Sequence, residues 1–190
     1  VAVLPRDDVE IRPLTRSDLL RMVEAGILAD DDRVELLDGV LVQMSPISAE
    51  HMNIVNWLTE HFVKPGSAWV VSIQNGLAIA GDERQLPQPD VALLPRERDV
   101  TQVSQRALLV VEVAVTSHRV DRQDKAPKYA LTGVPEYWVI DVPGETVEVR
   151  RRPVAGQYTE LRVLRAGETV EPLPPVTLPV EVDALFAALG

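Results

Sequence analysis

The apolar positions of this chain follow three rhythms, and each predicts a different element. The densest is Leu108-Leu109-Val110-Val111-Glu112-Val113-Ala114-Val115, where seven side chains are apolar and four are β-branched. An unbroken apolar run of this length reads as a strand buried on both faces. Pro89-Asp90-Val91-Ala92-Leu93-Leu94 and Glu136-Tyr137-Trp138-Val139-Ile140-Asp141-Val142 predict two further buried strands. Alternation marks Arg33 to Leu37 and Val40 to Met44, with Asp38-Gly39 between them, and predicts a hairpin with a tight turn. Trp69–Ile73 and Leu77–Ile79 about Asn75-Gly76 predict a second hairpin. Thr146–Arg150 and Tyr158–Leu164 about Gly156 predict an antiparallel edge.

Helical spacing supplies the third rhythm. Thr15, with Asp18 three residues on, is placed to cap a short helix carrying Leu19, Met22, Val23 and Ile27. Ser48 is placed to cap a helix reaching about Val63, with Val55, Leu58 and Phe62 on one stripe and His51 four residues before Val55. Asp121 to Leu131 predicts a third helix, ended by Gly133. Pro127 lacks an N–H and belongs in a first turn, so its true start moves toward Lys125. Strand, helix and strand in this order predict a right-handed parallel crossover. The Pro-rich run from Pro172 to Pro179 is expected to cross the surface, and Val182 to Leu189 to close the chain as a short helix. The sum is one α/β domain over residues 1–190, a mixed β-sheet with a central parallel pair, flanked by helices and antiparallel edge strands. Residues 1–14 read as an N-terminal extension and 166–190 as a C-terminal Pro-rich segment with its helix.

Composition narrows the function classes. Hydrophobic residues make up 46% and charged residues 25%, as in an ordinary soluble globular protein. Cysteine is absent, which excludes disulfides, thiolate zinc sites and cysteine nucleophiles and suits a reducing cytoplasm. The apolar run at Val1–Leu4 is too short for a signal peptide, and no stretch approaches a membrane span. A formal net charge of −10 argues against nonspecific nucleic-acid binding. The charge is uneven, however: residues 1–60 hold twelve acids against five arginines, and the remainder seventeen acids against fourteen bases.

Glu112 is the one charge in the densest strand. A bare carboxylate there costs several kcal/mol, roughly, so it needs a cation, a proton or hydrogen-bond donors. Asp90 stands at the entrance of a strand expected beside it, and Lys125 and Lys128 follow on the next helix. Two carboxylates, waters and a substrate phosphate make a sufficient magnesium shell, to which the Val113 carbonyl could add a ligand. A lysine beside it can hold the attacking water and stabilise charge developing on phosphorus. Each residue also has a plainer reading. Asp90 after proline is a common turn residue. Lys125 and Lys128 lie four residues after Asp121 and Asp124, the spacing of surface ion pairs, and Glu112 could pair with an arginine. Glu35 alternates as a solvated strand residue would, with Arg33 on its face. His51, His61 and His118 lack zinc-ligand spacing, and His51 reads as a hydrogen-bonded, half-buried residue. Arg119, Arg122, Lys125 and Lys128, with Arg96, Arg98 and Arg106 around the preceding strand, make either a phosphate-attracting face or a mixed solvated surface.

Three blocks carry a family resemblance. The first is Glu35-Leu36-Leu37-Asp38-Gly39-Val40-Leu41-Val42-Gln43-Met44-Ser45-Pro46 followed by His51. The second is Pro89-Asp90-Val91 with Val111-Glu112-Val113. The third is Asp121, Lys125 and Tyr129-Ala130, then Gly133-Val134-Pro135-Glu136-Tyr137-Trp138-Val139-Ile140-Asp141. Together they resemble the "putative restriction endonuclease" family, whose fold belongs to the PD-(D/E)XK nuclease superfamily. The resemblance implies a restriction-endonuclease-like fold and hydrolysis of DNA phosphodiesters with Mg2+ or Mn2+. By it, Asp90 and Glu112 are the metal-binding acids and Glu35 a further acid near the metal. The superfamily's usual lysine position, two residues after the acid, is Ala114 here, which points to a lysine displaced onto the helix, Lys125. Relatives carry small polar residues and a proline after the Glu-Val pair; this chain has Val115 and Thr116, and Ser117 alone fits. The resemblance further implies a homodimer. Two other functions stay open: an inactive nuclease-fold module for binding or dimerisation, and a metal-dependent hydrolase of small phosphoesters, which suits the acidic charge better.

Overall fold

A computed structural model describes residues 12–29, 32–44, 46–97, 99, 103–116 and 120–190. Helix α1 (Arg16–Glu24) begins where Thr15 and Asp18 cap each other: the Thr15 hydroxyl oxygen accepts from the Asp18 N–H, and the Asp18 carboxylate accepts from the Thr15 N–H. Strands β1 (Val34–Leu37) and β2 (Val40–Gln43) form the predicted hairpin. Asp38 and Gly39 both take positive φ, 53° and 78°, as its two-residue turn requires. A Cβ on Gly39 would also lie 2.4 Å from the Pro13 side chain. Helix α2 (Ala49–Phe62), capped by Ser48, buries Ile54, Val55, Leu58 and Phe62 along one stripe.

The main sheet holds β3 (Trp69–Ile73), β4 (Val91–Pro95), β5 (Leu109–Ala114), β6 (Glu136–Asp141), β7 (Thr146–Val154) and β8 (Gln157–Leu164), side by side in chain order. Only β5 and β6 are parallel to each other, with Glu112 opposite Val139; the other neighbours are antiparallel. The crossover between them is a π-helical turn, Val120–Lys125, running into α3 (Ala126–Leu131). Pro127 accounts for the switch. It cannot donate a backbone bond and is tolerated only in the first α-helical turn, so the wider π turn precedes it.

Every residue of β5 is buried, as its sequence predicts. Leu109, Val111 and Val113 join Trp138, Ile140 and the α2 stripe on one face. Val110 and Ala114 join Tyr129, Tyr137 and Val139 under α3 on the other, the face to which Glu112 belongs by alternation.

Two expectations change. Leu77–Ile79 is buried but is not a strand: Leu77 and Ala78 donate to the carbonyls of Pro87 and Ser104, because β3 takes β4 as its partner. The Pro-rich segment does more than cross the surface. Around β9 (Thr169–Val170), β10 (Val180–Glu181) and α4 (Val182–Phe186), the side chains of Val170, Val176, Val180, Val182 and Leu185 enter the α2-side core. Residues 1–11 of the expected extension lie outside the described residues, whereas Leu14 donates to Gly39 at 2.8 Å. Among the described residues, no helix is long and apolar enough to cross a membrane.

The framework leaves a mouth at the carboxyl end of β5. Pairing with β4 stops at Val91 opposite Val111, so Glu112 to Ala114 run past the start of β4. The β1–β2 hairpin stands over this opening and reaches the segment before β4 through a bridge between Leu36 and Leu86.

Candidate active site

Four elements converge on the mouth. Glu112 comes from β5, Asp90 from the residue before β4, Glu35 from β1, and Asp121 and Lys125 from the two ends of the π turn; all five are buried. The Lys125 ammonium lies 2.8 Å from Glu35 Oε1, 3.1 Å from Glu112 Oε1 and 3.8 Å from Asp121 Oδ1. The Tyr129 hydroxyl donates to the same Glu112 oxygen at 2.9 Å, and the Gln88 N–H donates to Glu35 Oε1 at 2.8 Å. Asp90 is gripped on both oxygens: Oδ2 accepts from the Val113 N–H at 2.8 Å, and Oδ1 lies 2.9 Å from His51 Nε2. A strand residue turns its N–H and C=O to the same side. The Val113 carbonyl therefore also points toward the β4 side, beyond the last β4 pair. Glu35, His51, Asp90, Glu112, Val113, Asp121 and Lys125 line a cavity of about 200 Å³ whose walls also include Arg33, Val42, Met44, Ile47 and Val115.

Four buried acids surround one buried ammonium, and the electrostatics follow. Burial opposes the charge on Lys125, yet Glu112, Glu35 and Asp121 outweigh it and raise its pKa above the ordinary lysine value. Burial pushes the Glu112 carboxyl well above the usual carboxylate range; Lys125 pulls it back, and Asp90, Asp121 and Glu35 push it further up. Burial acts on Asp90 in the same upward sense, but His51, the Val113 N–H and Lys125 together hold it below its ordinary value. The Asp90 and Glu112 carboxylates and the Val113 carbonyl are oxygen donors of the kind a hard divalent cation takes, in a cavity that Arg33 and His51 also line. Among the described residues no three acidic or histidine side chains form a ready cage.

The residues expected from the sequence thus lie together: Glu35, Asp90, Glu112, Val113 and Lys125 all line the one cavity. Glu35 is not a solvated strand residue, and Glu112 meets a lysine and a tyrosine rather than an arginine. Lys128 points elsewhere, to Asp38 Oδ2 at 2.9 Å and to the Asp124 backbone carbonyl rather than its carboxylate. The phosphate-attracting face does not form from the described residues. Arg122 is held between Asp141 at 2.9 Å and Glu148 at 2.6 Å, and Lys125 is buried. Arg96 follows β4 and Arg106 precedes β5, so both sit at the end of the sheet away from Asp90. Arg98, Ser45, Ser117, His118 and Arg119 lie outside the described residues. Three participants were not anticipated: Asp121, read as the start of a helix; His51, read as a hydrogen-bonded, half-buried residue; and Tyr129. The four-residue spacing of Asp121 and Lys125 carried a signal for the first, and nothing in the sequence joins His51 to Asp90.

The family model described as "Uma2: Putative restriction endonuclease" matches residues 17–183, which include every residue of this cavity. The chain belongs to the Uma2 family. Its fold is nuclease-like. The solved structure of "a putative nuclease belonging to DUF820 from Anabaena variabilis ATCC 29413" superposes with a TM-score of 0.71 at 19% identity, covering 94% of this chain and 100% of that one. A search of curated proteins finds no match.

Proposed function

We propose that this Uma2 chain hydrolyses DNA phosphodiester bonds with Mg2+ or Mn2+, held by Asp90, Glu112 and the Val113 carbonyl. The observation that carries the reading is the surplus of four buried acids over the Lys125 ammonium and the Arg33 guanidinium at a cavity, in a member of a family described as "Putative restriction endonuclease". A divalent ion bound there would polarise a phosphoryl oxygen and acidify a bound water. Asp90, kept ionised by His51 and the Val113 N–H, offers acceptor oxygens only. Lys125 gives two of its three N–H groups to Glu35 and Glu112, and the third, with Asp121 at the longer distance of 3.8 Å, would meet negative charge developing on phosphorus. Glu35 holds that ammonium in place. The homodimer implied by the resemblance belongs to the same proposal and is read by sedimentation velocity.

The test is cleavage of supercoiled plasmid with Mg2+ or Mn2+, repeated with chelator and with Glu112→Gln. Nicking by wild type alone, abolished by chelator, is expected; intact plasmid under every metal condition overturns the reading. A second reading, hydrolysis of small phosphoesters, is favoured by the engagement of Arg122 and Lys128 in ion pairs. Turnover of bis(p-nitrophenyl) phosphate without plasmid cleavage would select it. Calorimetric titration that finds no metal binding in either wild type or Glu112→Gln would leave an inactive module.

A further inference from the structure

We infer that His51 is a positioning residue that fixes the Asp90 carboxylate for cation binding. The inference rests on the metal-dependent reading above and extends it to a residue on a separate element. The imidazole is delivered from a rigid place. Ser48 caps α2 by accepting from the His51 backbone N–H at 3.2 Å, and the stripe from Ile54 to Phe62 locks the helix against the sheet. His51 Nε2 then reaches Asp90 Oδ1 at 2.9 Å. An ionised carboxylate only accepts, so the proton between them belongs to Nε2.

His51 Nδ1 is buried and has no hydrogen-bond partner among the described residues. Leaving a buried ring nitrogen unbonded costs about 1–3 kcal/mol, as it also does at His61 Nε2. Among the described residues the His51 ring makes one polar bond, and that bond is to Asp90. Val113 N–H takes the other Asp90 oxygen from the β5 side. Gln74 Nε2 also donates to Asp90 Oδ1, at 3.5 Å. The carboxylate is therefore clamped between a helix and a strand, with a further lone pair left on Oδ2. Hydrogen-bond partners of metal-ligating groups of this kind are worth about 10–100-fold in metal affinity.

The test compares two amides differing by one methylene. In His51→Gln the side-chain amide reaches about as far as Nε2 and can still donate to Asp90; in His51→Asn it ends near the Nδ1 position and cannot. Binding of Mn2+ alone is measured by calorimetry and by electron paramagnetic resonance, with thermal unfolding of the metal-free proteins as the control. His51→Gln should stay within about threefold of wild type, and His51→Asn should bind about 10–100-fold more weakly while unfolding at a similar temperature. Wild-type affinity in His51→Asn overturns the inference and leaves the metal-dependent reading standing. Equal weakening in both variants also overturns it, because the ring would then matter as filler. No Mn2+ binding by wild type brings down this inference and the metal-dependent reading together.

Discussion

Two buried glutamates, one at each end of the β5–β6 pair, show how differently this fold treats a charge. Glu136 opens β6 and is 1% exposed. Its Oε1 accepts from Arg151 Nε and Nη2 at 2.9 and 2.7 Å and from Trp138 Nε1 at 2.9 Å, while Oε2 accepts from the Leu173 N–H at 2.7 Å. Its charge is matched by one guanidinium, and both oxygens are bonded. Glu112, 2% exposed near the other end, shares one ammonium with Glu35 and Asp121 and faces a cavity. Burial alone therefore does not single out a functional acid. An acid whose surroundings leave charge uncompensated beside open space is poised to take a cation, whereas a compensated acid pins one segment to another.

The largest expected effects come from making the same substitution at both. Glu112→Gln removes one of three carboxylates crowding Lys125 while an amide oxygen can keep the bond from Tyr129. Its cleavage rate should fall by roughly 10³-fold, the equivalent of several kcal/mol of lost charge stabilisation, with little loss of folding stability. Glu136→Gln should do the reverse. It strands Arg151 and should cost about 3–5 kcal/mol in denaturant unfolding, with cleavage per folded molecule unchanged. Equal destabilisation by the two substitutions would erase the distinction.

The pH dependence sharpens it further. The folded-state pKa of Glu112 is raised above its ordinary value of 4.5, so the folded protein binds the extra proton in the window above that value. Wild type should therefore lose stability relative to Glu112→Gln as pH rises from about 4.5, by at most about 1.4 kcal/mol per pH unit, until the folded pKa is passed. Asp90 has the opposite sign. Its folded pKa lies below the ordinary 3.8, so its contribution is complete above that value and is lost as pH falls through the depressed one. Metal-free unfolding curves of wild type, Glu112→Gln and Asp90→Asn between acid and neutral pH would separate the two. A flat difference between wild type and Glu112→Gln would mean that the site is better compensated than its geometry indicates.

A smaller effect is expected at Tyr129. Among the described residues its hydroxyl gives Glu112 Oε1 one of two donors, the other being Lys125. Tyr129→Phe should destabilise by about 1–2 kcal/mol, with the ring's packing retained. No change in the unfolding midpoint would show that the ammonium satisfies Glu112 unaided.

How much of this was readable beforehand depends on whether a residue's meaning is local. The β5 run, the Asp38-Gly39 turn, the Thr15 and Ser48 caps and the Pro127 boundary express short-range sterics and periodicity, and the fold follows them. Glu112 was conspicuous because a lone charge in an apolar strand conflicts with its surroundings, and such conflicts gather at functional sites. Asp121 was not, because an aspartate opening a helix is equally good as a cap. The bond between His51 and Asp90, the turning of Arg122 toward Asp141 and Glu148, and the placing of Arg96 and Arg106 at the far end of the sheet depend on which strands neighbour which. No local pattern encodes that.

The smallest expected effect concerns the two lysines of the crossover, of which the sequence pointed to Lys125. Lys125 and Lys128 lie near each other on one crossover, each four residues after an aspartate, yet only Lys125 enters the cavity. Lys128 ties α3 to the hairpin turn through Asp38, whose side chain is 69% exposed. An ion pair so open to water is worth about 0–1 kcal/mol. Lys128→Met should therefore shift stability by less than about 1 kcal/mol and slightly less in high salt, and leave cleavage within about threefold of wild type. Lys125→Met leaves three buried carboxylates without their cation and should cost about 3–5 kcal/mol unless one of them takes up a proton. Comparable losses from both variants would mean that the tie between hairpin and α3 matters to the site as much as the ammonium inside it.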